Sequence, residues 1–187
     1  MIDAQNIIDF YYPPGDPARA ILLRHSIQVR NKALALRETC PLRETLDPAL
    51  VSAGAMLHDL GIRCCHAPDL GCFGSRPYLA HGIAGAALLR EFAAAHGLAL
   101  EPLARICERH TGTGLTAAEI RARALPLPEA DYLPETLEEK LICFADKFFS
   151  KSGDFAEKTL ADIRGGVAKF GPDNLARFDA LAALFMP

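Results

Sequence analysis

Apolar residues recur every three or four positions along most of the chain, which is the spacing of one helix face. Leu103, Ile106 and Cys107 are one example of this spacing. No segment shows the convincing two-residue alternation of a half-buried strand. The pattern predicts an all-α, compact helical bundle with helices over residues 3–11, 17–38, 48–60, 78–96, 101–110, 116–122, 136–151, 155–164 and 172–185.

Capping residues mark many of the predicted helix ends. Asp or Thr N-caps precede four starts, at Asp16-Pro17, Asp47-Pro48, Thr116–Glu119 and Thr136–Glu139. Asp154-Phe155-Ala156-Glu157 resembles a further start, and Gly165-Gly166 reads as a stop. Two long connections, 61–77 and 123–135, remain as candidate rims or lids of a functional site.

Length and composition predict one domain over residues 1–187. Half of the residues are hydrophobic, and the net charge is −3. This weak acidity excludes a general attraction to long nucleic acid, so an anionic ligand needs a local cluster or a metal. The most apolar segment, Leu79–Leu100, carries Arg90 and Glu91 at its middle and reads as a core helix, so no membrane partner is predicted.

The start of the chain lacks a basic region followed by an apolar stretch, so no signal peptide is predicted. Six cysteines are present, but nothing else indicates secretion, and a cytoplasmic protein with reduced thiols is expected. Cys64, Cys65, His66 and Cys72 do not match the spacing of a common zinc knuckle. The apolar segment Phe178–Met186 fits either the core or the face of a homodimer.

Chemistry-bearing side chains fall on the apolar faces of five predicted helices. They are His25, His58 with Asp59, His81, His110 and Asp146. A single histidine on such a face is usually a hydrogen-bonded core residue, but six buried titratable groups are costly in one small domain. A divalent metal centre would satisfy them all if they converge, because the cation neutralises carboxylates and takes imidazole lone pairs.

The composition of this set also predicts the kind of centre. Four histidines and two aspartates suit iron, manganese, cobalt or nickel. Six protein ligands are too many for one catalytic ion that must keep open positions. They are reasonable for two divalent metal ions that share a carboxylate, and Asp59 is the natural bridge.

The ordered set resembles the HD superfamily of metal-dependent phosphohydrolases. Ala55 to Ile62 is similar to the family's "HDIG" signature, while Glu108–Gly112 and Phe144–Lys147 resemble its later motifs. Histidines between the His-Asp pair and the final Asp are typical of the two-metal branch, which includes bacterial diadenosine tetraphosphate hydrolases. Many such proteins carry a Lys after the signature glycine, where this chain has Ile62 and then Arg63.

The resemblance implies a bundle of the HD type and a division of the ligands. His25, His58, Asp59 and Asp146 would hold one ion, most simply iron, and Asp59, His81 and His110 would hold the other. Together the ions would activate a water that attacks the phosphorus of a small phosphorylated substrate, such as a nucleotide.

Cations and a hydroxyl near these ligands in sequence are the candidates for binding phosphate. Arg109 and Lys147 are assigned, with Asp59, to catalysis, and the candidates for substrate binding are Arg63, Arg76, Thr111, Lys147 and Lys151. Their alternative interpretation is ordinary surface charge. Two other functions remain open: a di-iron oxygenase of the HD type, and a metal-holding regulatory module without turnover.

Overall fold

A computed structural model describes residues 3–153 and 155–186 of the chain. Nine α-helices make up most of this part: α1 Ala4–Tyr11, α2 Arg19–Thr39, α3 Pro48–Leu57, α4 His81–His96, α5 Glu101–Arg109, α6 Ala117–Ala122, α7 Leu137–Asp146, α8 Leu160–Ala168 and α9 Pro172–Phe185. The predicted all-α class is confirmed.

Helix α3 and the turn after it position one arm of the site. Asp47 caps α3 by accepting hydrogen bonds from the backbone N–H groups of Ala49 and Leu50. The predicted helix 48–60 ends early, at Leu57, and a 3₁₀ turn follows over Leu60–Cys64. Gly61 in this turn touches α4, where a Cβ would overlap the carbonyl of His81 and the backbone N of Gly85. Glycine therefore allows the turn and α4 to meet.

The prediction for the last third of the chain needs two corrections. The helix predicted over 136–151 ends at Asp146, and a turn follows in which Lys147, Phe148 and Phe149 bond to carbonyls three residues earlier. The helix predicted over 155–164 begins instead at Leu160, because the Thr159 hydroxyl accepts a hydrogen bond from Asp162 N at 3.1 Å. It then continues through Gly165-Gly166 to Ala168, so the predicted stop is wrong. The proposed cap Asp154 lies outside the described residues.

The connection 61–77 contains a small hairpin that the sequence pattern did not predict. Strand β1 (His66–Ala67) pairs antiparallel with β2 (Cys72–Phe73). Gly71, with a φ of 72°, provides the left-handed turn between them. Two-residue strands are too short for alternation to register as a pattern.

The main core lies between α2, α3, α5, α7 and α9. Phe144 of α7 packs against Phe178 and Phe185 of α9, and all three are buried. One face of the apolar last segment, formed by Phe178, Leu181 and Phe185, thus belongs to the core, while Ala180 and Ala183 are exposed. All six cysteines are unpaired. Among the described residues, no helix is both long and apolar enough to cross a membrane.

Candidate metal centre

The six predicted ligands meet at one buried point of the bundle. His25 comes from the middle of α2, and Asp59 from the turn after α3. The other four stand at helix termini: His58 directly after α3, His81 at the first residue of α4, His110 directly after α5, and Asp146 at the last residue of α7. All six are buried.

Three of the histidines are oriented by the same local hydrogen bond. The Nδ1–H groups of His58, His81 and His110 donate to the carbonyls of Ala55, Tyr78 and Cys107, each three residues earlier and each at 2.7 Å. A carbonyl oxygen only accepts, so Nδ1 carries the proton. Each Nε2 therefore faces the cluster and, when it is unprotonated, offers its lone pair there, as an imidazole that binds a metal does.

Asp59 divides the cluster into two ligand groups. Its Oδ2 lies 3.2 Å from Nε2 of both His25 and His58, while its Oδ1 lies 3.4 Å from Nε2 of both His81 and His110. The first ligand group is His25, His58, Asp59 and Asp146, and the second ligand group is Asp59, His81 and His110. Within each group the candidate ligand atoms all lie within 4.8 Å of one another.

Unsatisfied polar atoms in the cluster fit a divalent cation. Both carboxylate oxygens of Asp59 are buried, and within the described part of the chain neither accepts a well-directed hydrogen bond. Nε2 of His81 and Nε2 of His110 lie 3.0 Å apart, although their Nδ1 protons make both of them acceptors. Facing lone pairs, and a buried carboxylate without directed hydrogen bonds, are costly unless a cation lies beside them.

Two lysines partly offset the negative charge of the first ligand group. The Lys151 ammonium lies 2.8 Å from Asp59 Oδ2, and the Lys147 ammonium lies 2.7 Å from Asp146 Oδ2. Burial alone would raise the pKa of the Asp59 carboxyl, but Lys151 and His58 hold it well below its usual value. Burial likewise opposes the charge on Lys151, and Asp59 outweighs it, so the pKa of Lys151 is raised.

The histidines of the two groups differ in their electrostatic surroundings. Burial would lower the pKa of His58, but the adjacent Asp59 carboxylate outweighs it and raises that pKa to about 9. For His81, burial and the neighbouring His110 act together and lower the pKa to about 3. The second ligand group therefore holds neutral imidazoles.

The candidates for phosphate binding fall into different places. Lys147 and Lys151 line a cavity of about 510 Å³ that includes Asp146. Lys147 and Thr111 line a second cavity of about 510 Å³ next to it. Arg109 instead donates to Leu133 O at 2.7 Å and forms an ion pair with Glu135.

Arg63 and Arg76, in the connection 61–77, have their contacts outside the ligand cluster. The Arg63 guanidinium lies 5.2 Å from the ring centroid of Tyr12 and lines a separate cavity with Asp16. Arg76 is exposed, and its backbone pairs with Cys64 and His66. The structure thus brings Lys147, Lys151 and Thr111 to the cluster, and directs the three arginines elsewhere.

Tyr78 is a site residue that the sequence reasoning missed. Its ring stacks on the imidazole of His81, with centroids 4.9 Å apart, and the Lys151 ammonium lies 5.9 Å from its centroid. Burial raises the pKa of Tyr78 to about 12, so the phenol keeps its proton. The sequence feature that could have indicated Tyr78 is its position three residues before His81.

Comparison with known proteins identifies the family. A model of the HD domain family matches residues 22–150, which include all six residues of the cluster. The chain belongs to the HD domain family. The predicted family is confirmed. Among the described residues, the groups suited to a metal are the two ligand groups, and neither contains a cysteine.

Solved structures of an HD domain share the fold of the chain. The HD domain of the L. monocytogenes phosphodiesterase PgpH has a TM-score of 0.52 and 18% identity, over 98% of this chain and 97% of that chain. The same domain in complex with cyclic-di-AMP has a TM-score of 0.52 and 19% identity, over 96% and 93%.

Curated relatives match the chain over less than half of their own length. A tRNA (cytidine(56)-2'-O)-methyltransferase of Picrophilus torridus is 35% identical over 148 residues, which span 79% of this chain and 37% of that protein. An uncharacterized protein of Methanocaldococcus jannaschii is 42% identical over 101 residues, 54% of this chain and 49% of that protein. The chain therefore spans less than half the length of these relatives.

Proposed function

We propose that the chain is a metal-dependent phosphohydrolase that cleaves a phosphoester or phosphoanhydride of a small, nucleotide-like substrate. The observation that carries the proposal is the division of the cluster by Asp59, whose two buried oxygens each face a different pair of imidazoles. Membership of the HD domain family supports the same reaction class.

The first and second ligand groups would each hold one divalent ion, with Asp59 shared between them. Imidazole and carboxylate ligands without thiolate suit iron best, with manganese, cobalt or nickel as alternatives. Bound there, such ions would supply a Lewis acid and lower the pKa of a coordinated water.

The protein's own cations would bind the phosphate. Lys147 and Lys151 present ammonium groups at the wall of the cavity that contains Asp146, and both are mostly buried. In such a site a lysine stabilises phosphate oxygens more strongly than it would in water. Lys147 also donates to the carbonyl of His110 at 3.3 Å, which steadies its ammonium beside the cluster. The phosphate-binding roles of Arg63, Arg76 and Arg109 stay predictions.

The solved structures support a substrate class for this chain, whereas the curated relatives do not. The solved PgpH domain binds cyclic-di-AMP, which supports a small nucleotide as the substrate here. The methyltransferase relatives are matched over 37% of their length, so methyl transfer is not proposed for this chain. The imidazole and carboxylate groups of the buried cluster could hold a metal ion, and they favour hydrolysis as the reaction.

The test combines metal analysis with hydrolysis assays. The purified chain is expected to bind about two equivalents of metal and to hydrolyse bis-p-nitrophenyl phosphate. His66→Gln is the matched control, because His66 is exposed and lies outside both ligand groups. Metal binding without hydrolysis of any phosphoester would favour the regulatory module, and oxygen consumption would favour the oxygenase.

A further inference from the structure

The second cavity, which Thr111 and Lys147 line, is more apolar than a phosphate needs. Its walls come from α8, the loop after His110 and the segment after α6. Six of the lining side chains are apolar: Leu79, Leu115, Leu125, Ile163, Val167 and Phe170. The proposed hydrolysis uses none of them.

This cavity shares lining residues with the cavity that contains the ligand Asp146. Thr111 directly follows the ligand His110, and Lys147 directly follows the ligand Asp146. Lys147 and Lys158 line both this cavity and the one that contains Asp146 and Lys151. A molecule with its phosphate at the cluster would therefore extend its remaining part between these two lysines into the apolar cavity.

Two polar side chains of the cavity wall, Thr113 and Asn174, already have hydrogen-bond partners. Thr113 Oγ1 donates to Asn174 Oδ1 at 3.0 Å, and Asn174 Nδ2 donates to Glu119 Oε1 at 3.0 Å. These two side chains thus offer little to the hydroxyl groups of a bare sugar. The Thr111 hydroxyl, at the junction with the cluster, makes no hydrogen bond within the described residues and is free for a ligand.

A glycine in α8 keeps the space open. Gly166 lines the cavity, and a Cβ built on it would meet no atom within 4 Å. Glycine inside a helix is less stabilising than alanine. The neighbouring Gly165 also faces open space but is exposed and does not line the cavity. The two glycines therefore form a natural pair for an experiment.

An exposed aromatic platform lies at the edge of the cavity. Phe170 is 60% exposed, and the Arg123 guanidinium lies 5.7 Å from its ring centroid. Flat rings stack on aromatic and guanidinium faces regardless of their hydrogen-bonding pattern. Together with Lys147 and Lys158, this arrangement is complementary to an anion that carries a flat, weakly polar ring.

We infer that the cavity lined by Gly166, Val167 and Phe170 binds the ring of the substrate and selects phosphoesters of nucleosides over those of bare sugars. This inference rests on the proposed function for the position of the phosphate. It adds the residues that determine specificity, which the ligand cluster does not define.

Two substrates with the same scissile bond test the inference. Adenosine 5′-monophosphate and ribose 5-phosphate both lose phosphate from a 5′ oxygen and differ by the base. Burial of the ring is expected to make kcat/KM at least about tenfold higher for the nucleotide. Gly166→Leu fills the cavity and should reduce this ratio about tenfold, while Gly165→Leu, the matched control in the same helix, should keep it.

A binding measurement separates this inference from the proposed function. Ligand-observed NMR with adenosine and metal-free protein is expected to show binding that Gly166→Leu removes and Gly165→Leu retains. That result would support the cavity even if no phosphoester were hydrolysed. Hydrolysis with a nucleotide-to-sugar ratio near one, or a ratio and adenosine binding insensitive to Gly166→Leu, would overturn the inference. Circular dichroism checks that both variants keep their helices.

Discussion

The two ligand groups share Asp59 but differ in how the protein balances their charge. The first ligand group holds two carboxylates, and Lys147 and Lys151 each lie within 2.8 Å of one of them. Among the described residues, no lysine forms an ion pair with the second ligand group except through the shared Asp59. Two buried imidazoles face each other across 3.0 Å, with one oxygen of Asp59 beside them.

This difference appears in the histidine pKa values, because burial lowers the pKa in both groups and a carboxylate outweighs it only at His58. Near the carboxylates and lysines, the pKa of His58 is raised to about 9, so a metal must displace a proton there. Near the second imidazole, the pKa of His81 is lowered to about 3, so its lone pair is ready for a metal. Lysine ammonium groups partly satisfy the first ligand group without a metal ion, whereas the second ligand group depends on a metal ion.

Removing the shared oxygen should have the largest effect, since it disrupts both groups together. Asp59→Asn keeps the shape of the side chain but removes its charge and one ligand oxygen. We expect hydrolysis to fall at least about 1000-fold and metal content to fall below one equivalent. Elemental analysis and the phosphodiester assay measure both. Near-normal turnover would exclude a bridging role for Asp59.

Separating the two groups should have the next largest effect. His110→Gln removes a ligand from the second group alone, and His25→Gln removes one from the first group alone. Each is expected to reduce bound metal from about two equivalents to about one and activity about 100-fold. His66→Gln is again the unchanged reference. If His110→Gln still bound two equivalents, the second ligand group would not be a metal site.

The sequence contained the information for the cluster because each of its members occupies a constrained position. Six titratable side chains on apolar faces cannot all be tolerated separately, so their convergence was predictable. The Nδ1 bonds from His58, His81 and His110 to carbonyls three residues earlier are local, and they fix the direction of each imidazole.

Other features depend on partners that are distant in sequence. Arg109 is adjacent to His110, yet its direction is set by Leu133 and Glu135. The glycines of α8 were read as a stop because glycine disfavours helices. The Thr159 cap and the burial of Ile163 in the core outweigh that preference. Tertiary contacts decide the direction of a long flexible side chain, and they override a weak helix propensity.

The charge balance of the first ligand group can be tested through stability. Lys151→Met removes the ammonium 2.8 Å from Asp59 and leaves a buried carboxylate uncompensated. We expect the metal-free protein to lose about 3 kcal/mol of unfolding free energy, and much less when manganese is bound. Urea denaturation with chelator and with manganese measures both values.

The matched control for this variant is Lys169→Met. Lys169 is exposed at the end of α8, and its loss should change stability by less than about 0.5 kcal/mol. An equal loss for Lys151→Met with and without manganese would contradict the view that the lysine takes the place of a cation.

The smallest effect concerns the cation nearest in sequence to the second ligand group. Arg109 donates to Leu133 O and pairs with Glu135, so its guanidinium is held by these partners and not by His81 or His110. Arg109→Gln is therefore expected to change kcat/KM less than about threefold. The variant should also lose about 1 kcal/mol of unfolding free energy, because the hydrogen bond to Leu133 O is lost. A decrease of 100-fold or more, with the fold intact by circular dichroism, would mean that the guanidinium turns toward the substrate. The Arg109 guanidinium would then be a cationic partner of the second ligand group. In that case the two groups would differ in charge balance only in the metal-free protein.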